Sequence, residues 1–180
     1  MTVGIVKANI LAIVVMLPFM LLFAWIYSIV NRSVEFSLDE NSIWIVLWGF
    51  FAIMIVLFVL HELIHGLTWG IFSKSHFKSI EFGVIWKMLT PYCYCSEPLK
   101  KWQYLLGSAM PTLLLGFGLA VISAVWNSIF LLCLSEFMMI GGGGDFLIIL
   151  KMLLYHAGGK DTVYYDHPTE CGFVVFEKDV

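Results

Sequence analysis

Four long apolar stretches, residues 8–30, 43–72, 102–125 and 129–155, fill most of this chain and leave little polar sequence from which a water-soluble domain can be built. Each can cross a bilayer, for which a helix needs about 20 predominantly apolar residues. The fold expected is therefore an all-α membrane protein of four transmembrane helices. The composition agrees, because 61% of the residues are hydrophobic and only 13% are charged, against about 45–50% and 25% in soluble domains. Residues 1–157 read as one membrane domain, and 158–180 as a short cytoplasmic tail. Lys7 precedes the first stretch, but its apolar run exceeds a signal-peptide core and no cleavage pattern follows, so it is expected to remain as an anchor.

The connections between the stretches differ in charge, and that difference orients the chain. Arg32, Glu35, Asp39 and Glu40 lie between the first two stretches, whereas Lys74, Lys78, Lys87, Lys100 and Lys101 lie between the second and third. Lys151 and Lys160 sit at and after the end of the fourth. Lysine-bearing connections favour the cytoplasmic side, so both termini are expected there, in a multi-pass protein of the cell membrane. The turn at Asn127 then falls outside. Within the lysine-rich connection, Ile80, Phe82, Val84 and Trp86 alternate with Glu81, Gly83, Ile85 and Lys87, a strand-like period. A second strand from Pro91 through Cys95 completes a hairpin at the membrane surface. The net charge of -3 gives no reason to expect a nucleic-acid partner. Cys93, Cys95, Cys133 and Cys171 do not have the spacing of a disulfide framework, and free thiols are expected.

The second stretch carries His61-Glu62-Leu63-Ile64-His65. Residues four apart share one face of a helix, so the two imidazoles can reach one ion, with Glu62 beside them to accept a proton from water. Placing ionisable groups inside a hydrophobic span costs about 2.5–3.5 kcal/mol for each charge near its centre. A metal ion offsets that cost more readily than the other, mostly apolar stretches can. Zinc in a catalytic site usually takes three protein ligands and leaves one position open. Asp145 leads as the third ligand. At 1.5 Å per residue, His61 lies about 27 Å below the start of its stretch and Asp145 about 24 Å below the start of its own, and the two run in the same direction. Glu136 lies about 13 Å from Asp145 along the axis and is expected to face another partner. His76, Cys93, Cys95 and Glu97 can fold back from the connection and stay open as alternatives. Gly141 to Gly144 can serve close packing or loosen the helix so that the carboxylate approaches an ion. Gly107, Ser108 and Pro111 offer a similar choice, with packing favoured.

The succession of His61-Glu62-x-x-His65, Gly107-x-x-x-Pro111 and Gly144-Asp145 in three consecutive membrane helices resembles the catalytic core of the site-2 proteases. It is more closely similar to the small bacterial membrane proteins grouped as zincin peptidases. The resemblance covers about residues 43–155. In site-2 proteases a glycine follows the third-ligand aspartate; here Gly144 precedes Asp145 and Phe146 follows. The resemblance implies an HExxH-type zinc metallopeptidase, with His61, His65 and Asp145 on Zn2+ and Glu62 as the catalytic base. Its substrate is expected to be a membrane protein or peptide, cut near the cytoplasmic face. The alternatives are a non-proteolytic zinc protein that senses or transports metal, and an assembly protein whose polar groups are only helix glue. Spans one and three offer few polar side chains to line a transport path.

Overall fold

The computed structural model describes residues 2–3, 5–31, 40–86, 90–156, 162–166 and 171–177. Long helices dominate it. Helix α1 runs over Ile5–Val30 and α2 over Glu40–Phe72, and α3 occupies Lys101–Val125. The fourth apolar stretch forms two helices, α4 at Ile129–Gly141 and α5 at Gly143–Leu154, bent by 46° where they meet. Three helices are individually long and apolar enough to cross a membrane, and the bent pair passes that test when taken together, as a broken span or a re-entrant loop. Much of their surface is apolar and exposed, as with Trp44, Ile45, Trp48 and Ile55 on α2. Contiguous apolar surface of this extent has no place in water. It is consistent with a membrane protein.

The fourth apolar stretch, expected as one continuous helix, is two helices, and its glycines explain why. A Cβ on Gly142 would lie 1.9 Å from the hydroxyl oxygen of Thr112 on α3, and one on Gly143 would lie 2.7 Å from the Cβ of Ala12 on α1. Absent side chains thus let three helices converge at the bend. In α3, Pro111 lacks the N–H that a helix interior requires, and a π-helical segment, Thr112–Gly118, follows it at once. A turn at Asn127, with φ of 49°, leads into α4, whose first turn is capped by the Ser128 hydroxyl. Tyr27 donates to Asn127 and Asn31 to the Ala124 carbonyl, which ties α1 to this end of the bundle.

Two small antiparallel sheets lie at the opposite end. Strands β2 (Ile80–Ile85) and β3 (Thr90–Cys95) form the hairpin expected between α2 and α3, with Ile80 opposite Cys95 and Ile85 opposite Thr90. Its turn, with Lys87, lies outside the described residues, as do residues 32–39, Lys160 and His167. The second sheet is absent from the all-α expectation. Strand β5 (Cys171–Phe176) pairs with both β4 (Val163–Asp166) and β1 (Thr2–Val3), so the two chain ends share a sheet. Leu99, just before α3, bridges to Tyr164 of β4. The segment read as a tail is therefore built into the protein: Tyr164 and Phe173 are buried in one core with Trp69, Cys95, Leu99, Tyr104 and Met152. A separate cluster around Met54, Leu57, Leu134 and Met138 packs α2 against α4.

Candidate metal centre

Helix α3 packs against both α2 and α5 and so brings them together. On α2, the four-residue spacing stacks His61 over His65, with ring centroids 4.9 Å apart. Asp145, in the first turn of α5, meets them from the other side. Its Oδ2 lies 3.0 Å from His61 Nε2 and 3.3 Å from His65 Nε2, and the two Nε2 atoms are 3.2 Å apart. The imidazoles are buried, whereas the Asp145 side chain keeps 22% of its surface exposed, so the site opens on the α5 side.

Two imidazoles and a carboxylate are donor types that a metal cation accepts. His65 Nδ1 donates to the Gly107 carbonyl at 2.9 Å. In the neutral ring the proton is thus on Nδ1, and the lone pair of Nε2 faces His61 and Asp145. Lone pairs and a carboxylate converging at about 3 Å repel one another unless a cation or a ring proton lies among them. Tetrahedral zinc with bonds of about 2.0–2.1 Å sets its ligand atoms about 3.3–3.4 Å apart. The three observed separations, 3.0, 3.2 and 3.3 Å, fit one such ion. His61, His65 and Asp145 are the residues able to hold a metal among the described ones.

The other sequence candidates go elsewhere. Glu97 accepts from the backbone and hydroxyl of Ser75, and these hydrogen bonds hold its carboxyl below the ordinary glutamate range. His76 Nδ1 donates to the Gly70 carbonyl. The Cys95 thiol is directed to the Glu97 carbonyl, and Cys93, Cys95 and Cys133 are in no disulfide among the described residues. The partner expected for Glu136 is not found: both carboxylate oxygens are buried and make no hydrogen bond with the described residues. Glu62, next to His61, is partly buried and accepts a hydrogen bond from the backbone N–H of Cys93. That donor belongs to β3, and no sequence signal marks it, since a backbone group has no residue identity. Gly107 packs against Trp69, the role favoured for it, and its carbonyl also accepts from His65, which the sequence did not indicate.

No curated protein and no solved structure matches the chain. A family model described as "Putative zincin peptidase" matches residues 54–158, from the middle of α2 to just past α5. That stretch contains both histidines, Glu62, the hairpin that bonds it, Gly107 and Asp145. The chain belongs to this zincin peptidase family.

Proposed function

We propose that this protein is an HExxH-type zinc metallopeptidase of the membrane, with His61, His65 and Asp145 as ligands and Glu62 as general base. One observation carries the reading: three donor atoms from α2 and α5 meet at metal-ligand spacing, with a lone pair of His65 turned inward by the Gly107 carbonyl. Zinc bound there supplies a Lewis acid that polarises the scissile carbonyl and acidifies the attacking water. The Glu62 carboxylate takes the proton from that water and hands it to the departing amine. Its hydrogen bond from Cys93 N–H leaves the second oxygen and the remaining lone pairs for that task.

The substrate is a membrane protein or peptide that reaches the site from the lipid. Helical peptide bonds are shielded, so the segment to be cut must be extended, and the β2–β3 hairpin beside Glu62 offers an edge on which to hold it as an added strand. Four crossings by α1, α2, α3 and the bent α4–α5 pair put both termini on one side. Pairing of β1 with β5, and of Leu99 with Tyr164, supports that arrangement. The lysines of the hairpin connection make this side cytoplasmic, so cleavage takes place near the cytoplasmic face of the cell membrane. The arrangement also fits the resemblance to the site-2 protease core.

Metal analysis of detergent-purified protein tests the site: one zinc per chain is expected, and His61→Ala should lose it. Glu62→Gln should keep the zinc and lower cleavage of a co-expressed membrane substrate by at least about 100-fold. Undiminished cleavage by Glu62→Gln would refute the general-base role.

A further inference from the structure

His61 and His65 are not held alike. His61 Nδ1 is buried with no hydrogen-bond partner among the described residues. His65 is fixed on three sides. Its Nδ1 donates to the Gly107 carbonyl, its ring stacks on Trp69 at 5.0 Å with 17° between planes, and Nε2 faces the site. Trp69 is itself buried and donates its indole N–H to the Tyr104 carbonyl, so its plane cannot turn freely.

Why a helix carbonyl is free to hold His65 follows from Pro111. In an α-helix the carbonyl of residue 107 accepts from the N–H of residue 111, and proline has none. The next N–H, that of Thr112, goes to the Ala109 carbonyl instead. The Gly107 oxygen is thereby left without its helical donor and takes the one His65 offers. Gly107 must also be a glycine, because a Cβ there would lie 1.9 Å from the indole nitrogen of Trp69. Packing and hydrogen bonding thus converge on two residues four apart.

We infer that Gly107, Pro111 and Trp69 form a positioning device for His65, with Pro111 withdrawing a helical N–H so that the Gly107 carbonyl sets the tautomer and direction of the ring. The inference rests on the metal-site reading above. Such partners of a ligating histidine typically change metal affinity by about 10–100-fold. The decisive variant is Pro111→Ala, which restores an N–H to compete for the Gly107 carbonyl. A purely structural role predicts that zinc affinity and thermal stability change together. A positioning role predicts that they part.

The experiment measures zinc affinity of the full-length protein in detergent by chelator competition, alongside thermal unfolding of the metal-free form. For Pro111→Ala, zinc affinity should fall by about tenfold or more while the metal-free protein unfolds at no lower temperature. Trp69→Leu should also weaken zinc binding, and Trp69→Phe, which keeps an aromatic face, should recover most of it. Unchanged affinity in Pro111→Ala, or a loss matched by a fall in metal-free stability, overturns the inference while leaving the metal site standing. Failure of the unsubstituted protein to bind zinc overturns both.

Discussion

The two small sheets at the same end of the helical bundle reach the site by different means. The β2–β3 hairpin buries Cys95 but leaves Phe82, Val84 and Ile85 exposed, with Trp86 just beyond β2 exposed as well. Its contribution to the site is a backbone group, the Cys93 N–H on Glu62. It lies against α2 where Gly66 leaves room, since a Cβ there would meet the Phe82 ring at 2.5 Å. The terminal sheet does the reverse. It buries Tyr164 and Phe173 completely, and its influence passes through packed rings, from Phe173 to Tyr104, from Tyr104 to Trp69, and from Trp69 to His65. One sheet bonds Glu62 and leaves apolar side chains exposed; the other packs behind the ring of His65 and belongs to the core. A burial pattern therefore separates an exposed ribbon from a core one even where both are short and antiparallel.

That contrast breaks most readily at Phe173. Truncation to alanine removes a fully buried ring, a change that costs about 3–5 kcal/mol in a packed core. Phe173→Ala should lower the unfolding temperature and weaken zinc binding, both measurable on purified protein. A variant with full stability and zinc affinity would show the terminal sheet to be dispensable.

A smaller and more selective effect is expected from the hairpin. Cys93→Pro deletes the N–H that bonds Glu62, whereas Cys93→Ala keeps it. Hydrogen bonds to charged groups contribute about 1.5–3 kcal/mol, so Cys93→Pro should slow cleavage by roughly tenfold or more. Zinc content should be unchanged in both variants, and Cys93→Ala should cleave normally. Equal losses in the two would assign the effect to the thiol or to strand packing.

Glu97 should show the least. Its carboxyl is held below the ordinary glutamate range by Ser75, so this bond stabilises the fold above that range and the contribution is lost as pH falls through the folded-state value. Glu97→Gln should unfold at a slightly lower temperature near pH 7, with the difference closing in acid. Zinc affinity should stay the same at neutral pH, because Glu97 bonds a turn outside the site.

Much of the molecule was legible in the order of residues because its determinants are local. Long apolar runs marked α1, α2 and α3, and alternation marked β2. The spacing of His61 and His65 alone put both on one face of a helix. The fourth helix was placed correctly but read as unbroken, since four glycines announce flexibility without saying where neighbours press. The terminal sheet carries no local signal, because β5 pairs with a two-residue segment at the far end of the chain.

The sequence by itself determined a membrane-type helical protein with a local histidine pair and an adjacent carboxylate, for periodicity is set by neighbours along the chain. Depth in the apolar stretches also singled out Asp145 from Glu136. Only the tertiary structure decided that Asp145 meets His61 across 84 positions, that Gly107 holds His65 across 42, and that a β-strand supplies a donor to Glu62. Those meetings depend on how closely helices and hairpin approach, which side chains absent from Gly66, Gly107 and Gly142 permit. Two of the contacts run through backbone atoms, which every residue carries, so only packing could select them.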